Sequence, residues 1–190
     1  MRHLAYIGLG ANLPSPAGTP AQTLAAAIDK LSTAGTVVAR SSLYRTEPVD
    51  YTAQPVFVNA AVALETGLHP EALLDFLLST ERQFGRDRSR DVPKGPRTLD
   101  LDLLLVDQQI VHTPQLTLPH PELARRRFVL EPLAEIAPAL RHPVSGATMA
   151  ELLVELPETG PNARDAVQKL EESRDGATFS GNAPSMGRTP

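Results

Sequence analysis

The 190-residue chain contains no cysteine and no tryptophan. The first absence excludes disulfides, zinc–thiolate sites and thiol catalysis. Aromatic residues make up only 4%, too few for the stacking platforms of a single-strand nucleic-acid binder. Positive charge is also short. The net charge of −4 does not favour a general nucleic-acid binder. No apolar run approaches membrane-spanning length, because 18 prolines, 12 glycines and scattered charges break the runs. The opening "MRHLAYIGLGANLPSP" has no signal-peptide apolar region with a cleavage site. These absences predict a cytoplasmic protein with neither nucleic acid nor membrane as partner. What is present, 42% hydrophobic and 21% charged residues, suits the core of one domain with a tail.

Periodicity and breakers divide the chain. A strand is expected from His3 to Leu9. "GLGANL" follows, but Leu13 stands where a dinucleotide fingerprint needs its third glycine. No P-loop motif occurs either. A helix is expected from about Pro20 to Thr33, capped by Thr19, with Leu24, Ile28 and Leu31 as its buried stripe and Gly35 as its stop. Val37 to Arg45 reads as β, "TEPVDYTAQP" as a loop, and "VFVNAAVALET" as a strand. A second helix runs from about Pro70 to Phe84, stopped by Gly85. The charged loop "RDRSRDVPKGPR" leads into "TLDLDLLLVD". This order predicts an α+β fold with a ferredoxin-like split βαβ core, its antiparallel sheet covered by helices on one face. A short strand near Gln109 to His112 and helices near Val129–Ile136 and Thr148–Leu156 follow. Residues 1–157 are expected to form the domain and 158–190 a flexible tail, with a surface helix in "ARDAVQKLEES".

Asp100 and Asp102 interrupt the apolar strand. Side chains alternate on a strand, so both carboxylates share one face, roughly 6.5–7 Å apart along the backbone. Like charges at that range hinder each other's ionisation unless something positive lies between them. A solvated sheet face would explain the pair without function. The preceding loop, Arg86 to Arg97, holds four arginines and one lysine against two aspartates. Such a cluster beside paired carboxylates suits a polyphosphate–magnesium complex. Arginine forks match phosphate oxygens, and hard carboxylate oxygens hold Mg²⁺. Two ions about 3.5–4 Å apart would relieve the repulsion. His120 between prolines and the run Arg125–Arg127 add a second cationic patch, which a solvated face could equally explain. Phe57 and Asn59 share a strand face, a common way to read a flat heterocycle by stacking and hydrogen bonding. A core Phe and an edge Asn are the ordinary alternative.

Together "GPRTLDLDLLL", "YRTEP", "QPVFVNAAVALET" and "LTLPHP" resemble the 6-hydroxymethyl-7,8-dihydropterin pyrophosphokinases of folate biosynthesis, in the family's order, from "AYIGLGANL" to about Leu156. The resemblance implies transfer of the β,γ-pyrophosphoryl group of ATP to the pterin's hydroxymethyl oxygen, with release of AMP. It implies two Mg²⁺ on Asp100 and Asp102, and Arg86 and Arg97 as the loop arginines on the transferring phosphates. It puts Glu81, Arg88, Lys94, Leu103, Thr117, His120 and Arg126 at the nucleotide. It puts Thr46, Glu47, Val49, Phe57, Asn59 and Phe128 at the pterin, with the ring between the two phenylalanines. A monomer is expected. Lys94 departs from the tryptophan many relatives carry, and Gln115 and Pro121 stand where some have Arg and Tyr. Two other readings remain at this stage: a Mg²⁺-dependent nucleotidyltransferase with another acceptor, and a non-catalytic ferredoxin-like RNA or regulatory module.

Overall fold

The computed structural model describes residues 1–48, 53–88, 95–157 and 166–170. Its main sheet joins β1 (His3–Ala11), β2 (Gly35–Arg40), β3 (Tyr44–Thr46), β4 (Phe57–Thr66), β5 (Asp100–Val106) and β8 (Val167–Lys169). The order is β5-β1-β4-β3-β8, with β2 also paired to β4, and each pairing is antiparallel. With β2 and β3 taken as one interrupted strand, this is the split βαβ order that the sequence predicts. The interruption falls at Ser41, whose hydroxyl accepts from the Ala61 amide while its own amide donates to the Ala61 carbonyl. A register shift between Val37 and Ala39 precedes it.

α1 (Pro20–Leu31) starts with a reciprocal cap between Thr19 and Gln22. It ends at Leu31, before Gly35, which opens β2 instead of stopping the helix. α2 (Pro70–Gln83) buries Leu73 and Leu77, one turn apart, and Gly85 takes the left-handed φ of 86° just beyond it. Both helices pack with Ile7, Val62, Leu101 and Leu103 in one core.

The opposite sheet face is also covered, a correction to the expectation of helices on one face. Tyr6, Ala61, Ala63 and Leu104 meet α3 (Arg127–Ile136) and α4 (Met149–Glu155) in a second core. Strand alternation places the next even-numbered residues of β5, Asp102 and Asp100, on this same face. The carboxylates therefore continue a buried stripe beside the start of α3. They do not lie on a freely solvated surface. β6 (Val111–His112) and β7 (Thr117–Leu118) form a hairpin, and a 3₁₀ turn at Leu123–Arg125 leads into α3. β8 replaces the surface helix expected in "ARDAVQKLEES". Its three residues pair with the outer edge of β3, which the sheet otherwise leaves open.

Candidate active site

Asp100 sits between two arginines. Arg86 Nη1 donates to Asp100 Oδ1, to the Leu99 carbonyl at 3.1 Å and to Glu81 Oε1 at 3.0 Å. Arg97 Nε lies 2.9 Å from Asp100 Oδ2. Burial opposes ionisation of Asp100, but Arg97 and Arg86 outweigh it and hold its pKa below the usual range. Among the described residues no arginine pairs with Asp102. Burial and the charge of Asp100 push its pKa up to about 7, against a smaller pull from Arg97. Among the described residues the arginines thus compensate Asp100 more than Asp102.

Glu81 is buried behind the pair. It accepts from Arg86, from Arg88 Nε at 2.9 Å and from the Leu101 amide at 2.8 Å. It ties α2, the arginine loop and β5 together. Glu81, Arg86 and Arg88 line a cavity of about 420 Å³ with Leu78, Arg82 and Asp87.

A separate cavity of about 280 Å³ opens in front of the carboxylates. Asp100, Asp102, Arg97, His120 and Arg126 line it with charged and titratable groups. Thr46, Glu47, Phe57, Asn59 and Phe128 line it too. His120 Nδ1 accepts from the Glu122 amide at 3.2 Å, which leaves Nε2 to carry the proton of a neutral ring, 4.0 Å from Asp102 Oδ1. Burial and the charge of Arg126 lower the His120 pKa. The Arg97 guanidinium lies 5.0 Å from the Phe57 ring centre, and that of Arg126 lies 5.6 Å from Phe128. Each phenylalanine thus has a cation over its ring.

Asn59 is buried and donates to Thr46 Oγ1 at 2.7 Å. Its carboxamide oxygen leans on Gly10. A Cβ at position 10 would come 2.8 Å from Asn59 Oδ1, so this glycine makes room for the amide and is not part of a phosphate fingerprint. The structure also brings in Asn12, Pro48, Gln54 and Glu122, which the motifs did not single out. Pro48, Gln54 and Glu122 line the cavity. Asn12 clamps two loops: Nδ2 donates to Gln54 Oε1 at 3.1 Å and to the Pro55 carbonyl at 3.0 Å, and Oδ1 accepts from the Arg97 amide at 2.8 Å. The available signal was a lone polar residue closing "GLGAN". Leu103 is placed differently from the expectation: it is buried in the core with α1 and α2, away from the cavity lining. Thr117 begins β7 and does not line the cavity either. Val49 and Lys94 lie outside the described residues.

An α+β sheet whose cavity combines a carboxylate pair and arginines with two phenylalanines and an amide has groups suited to a polyanion and to a flat ring. The chain belongs to the 7,8-dihydro-6-hydroxymethylpterin-pyrophosphokinase family, whose model matches residues 6–138. It is 46% identical over 158 residues to the 2-amino-4-hydroxy-6-hydroxymethyldihydropteridine pyrophosphokinase of Methylorubrum extorquens, covering 82% of this chain and 95% of that one. The protein of the same name from Pseudomonas aeruginosa is 43% identical, with 82% and 93% covered. The folic acid synthesis protein fol1 of Pneumocystis carinii is 40% identical over 146 residues, 76% of this chain, which spans 19% of that longer protein. The solved wild-type Plasmodium falciparum HPPK-DHPS shares the fold at a TM-score of 0.62 and 15% identity, with 82% of this chain and 45% of that chain covered.

Proposed function

We propose that the protein transfers the β,γ-pyrophosphoryl group of ATP to the 6-hydroxymethyl oxygen of 6-hydroxymethyl-7,8-dihydropterin, releasing AMP, as a step of folate biosynthesis. The observation that carries this reading is one cavity lined both by the carboxylate pair with arginines and by two phenylalanines with an amide. The family membership and the names of the relatives agree with it. The direct test is incubation with ATP, Mg²⁺ and the hydroxymethylpterin. AMP should accumulate together with pyrophosphorylated pterin. Release of inorganic pyrophosphate with a nucleotidylated acceptor would instead mark a nucleotidyltransferase.

The donor set fits Mg²⁺. Asp100 and Asp102 offer hard oxygens, and burial and the charge of Asp100 oppose ionisation of Asp102, an opposition that a bound cation would reduce. Mg²⁺ keeps waters and takes oxygens from a bound polyphosphate, so it needs only one or two carboxylates from the protein. Two Mg²⁺ held by these aspartates would neutralise phosphate charge and screen the two carboxylates from each other. Arg86 and Arg97 now neutralise Asp100, and in the complex they turn to the transferring phosphates. His120 and Arg126 complete the cationic wall for the triphosphate, and the family pattern assigns Arg88 and Thr117 to the nucleotide as well. Glu81 holds Arg86 and Arg88 in position. Phe57 and Phe128 enclose the pterin ring, and Asn59, Thr46 and Glu47 read its edge. Val49 and Lys94 are assigned to the pterin and nucleotide loops by the same family pattern. The protein performs little covalent work. It aligns the hydroxymethyl oxygen with the β-phosphorus, supplies opposite charge and keeps water out of the closed cavity. We place the reaction in the cytoplasm and in a single chain, whose described residues line the cavity.

Two expected results concern the pterin wall. Asn59→Ala leaves polar edges of the bound ring unpaired, at about 1–3 kcal/mol. Calorimetric titration should show pterin affinity falling about tenfold or more with ATP affinity nearly constant. Equal weakening of both ligands would make Asn59 merely structural. Gly10→Ala should produce the same asymmetry by displacing the Asn59 amide, whose oxygen a new Cβ would crowd at 2.8 Å. Unchanged pterin affinity in that variant would show that the amide can shift at no cost to binding.

A further inference from the structure

We propose that β8, with Glu135 of α3 as its anchor, is a support that positions the Thr46–Asn59 wall of the pterin pocket; this rests on the function proposed above. β8 lies beyond residues 6–138, the stretch that the family model matches.

The outer edge of β3 carries the argument. β3 has three residues, and its last, Thr46, holds Asn59. On its inner side β3 pairs with β4, with Tyr44 opposite Asn59 and Thr46 opposite Phe57. On its outer side the partner is β8, with Tyr44 opposite Lys169 and Thr46 opposite Val167. The ladder extends past both strand ends: the Leu170 amide donates to the Leu43 carbonyl at 2.8 Å, and the Glu47 amide donates to the Ala166 carbonyl at 3.2 Å. Glu47 itself lines the cavity. A three-residue strand paired on one side has few bonds to fix its register. The second side makes Thr46 and Glu47 the middle of a ladder instead of an open edge.

Glu135 locks this ladder from above. Its carboxylate accepts from the Ser42 amide and the Tyr44 hydroxyl at 2.9 Å on Oε2. On Oε1 it accepts from the Ser42 hydroxyl at 2.9 Å and Lys169 Nζ at 2.7 Å. One carboxylate thus gathers donors from the entry to β3, from β3 and from β8. Burial opposes its ionisation, but the bonds from Lys169, Ser42 and Tyr44 outweigh that and lower its pKa. Glu135 does not line the cavity. It is a positioning residue, acting through Tyr44 and Lys169.

The experiment compares two C-terminal truncations with point variants in the full chain. Removing 171–190 leaves the ladder whole and should leave pterin affinity, ATP affinity and Tm near those of the full chain. Removing 166–190 should weaken pterin binding about tenfold, with ATP affinity within about twofold and the loss expressed in KM for pterin more than in kcat. Gln168→Pro, which removes a backbone donor opposite Arg45, and Glu135→Ala should do the same in the full chain. Glu135→Gln, which keeps an acceptor for Tyr44, should recover part of the affinity. These point variants decide the matter if the shorter truncation product fails to fold. Pterin affinity unchanged in Gln168→Pro and Glu135→Ala overturns the proposal, as does equal loss of pterin and ATP affinity. Activity of the full chain is the control: without AMP formation there, the function itself falls, whereas an active full chain with indifferent variants refutes the support alone.

Discussion

Asp102→Asn should abolish turnover, lowering kcat at least about a thousandfold, or roughly 4 kcal/mol of transition-state stabilisation, while leaving the fold intact. Asp102 is the less compensated carboxylate, with a pKa pushed up to about 7 by burial and by Asp100. Its folded pKa exceeds the ordinary carboxylate value. Without metal, its contribution to stability is therefore lost as pH rises from the carboxylate range through about 7. A neutral Asn escapes that loss, so the variant's Tm at pH 8 in the absence of Mg²⁺ should equal or exceed that of the parent. Asp100→Asn should be equally inactive but less stable. It takes the paired carboxylate from Arg97, whose side chain is only 19% exposed, and one of two carboxylates from Arg86, 9% exposed, which keeps Glu81. Removing one partner from such a buried pair costs about 3 kcal/mol or more, enough to lower Tm by several degrees. Activity assays at saturating Mg²⁺ and thermal melts without it check both claims. Near-normal turnover in either variant would sink the metal assignment. Equal melting curves would show that the two arginines find other partners.

That asymmetry between the two aspartates was not legible in the sequence, although the pair itself was. Strand alternation put both carboxylates on one face, and that placement holds. What the pattern could not supply was the cover on that face. Leu104 continues the Asp100–Asp102 stripe into a core under α3 and α4, and those helices begin more than twenty and more than forty positions further along the chain. Long-range packing also explains the other misses. Gly10 was excluded from a nucleotide fingerprint by Leu13, but its role was hidden, because nothing local says that Asn59 leans on it from a neighbouring strand. Asn12 carried no spacing signal, yet it joins Gln54 and Arg97, residues far from it in sequence. β8 was read as a helix because helical propensity is a local prior, and the open edge of β3 overrides it. By contrast, α1, α2, α4 and the strand order were readable, since caps, breakers and apolar spacing are local. Glu81 falls between these cases. Its helix was clear, but its bonds to Arg86, Arg88 and the Leu101 amide turn a residue expected beside the nucleotide into one that holds the arginines.

Arg97→Ala should cut kcat by about a thousandfold while pterin affinity holds or improves in the absence of ATP. The backbone and side chain of this residue are restrained very differently. Its amide donates to Asn12 Oδ1 at 2.8 Å, and its carbonyl accepts from the Asn12 and Leu13 amides, each at 3.1 Å. The Cα is therefore fixed by the loop clamp whatever the side chain is. The guanidinium is held by the charge of Asp100 and by the Phe57 ring, 5.0 Å away. Both contacts are ones that bound substrates would replace: a cation takes over Asp100, and a pterin takes the face of Phe57. Released from them, the guanidinium meets the phosphates as charge shifts during transfer, and a preorganised donor there acts chiefly on kcat. Arg97→Lys keeps the charge but loses the fork, so its activity should fall between those of the parent and the Ala variant. Truncation to Ala also uncovers Phe57, which is why pterin binding alone should not suffer. Steady-state kinetics over an ATP series, paired with pterin titration of the nucleotide-free protein, separates the two effects. If kcat survived while pterin affinity collapsed, Arg97 would be a wall of the pterin slot and the charge acting in transfer would have to come from Arg86.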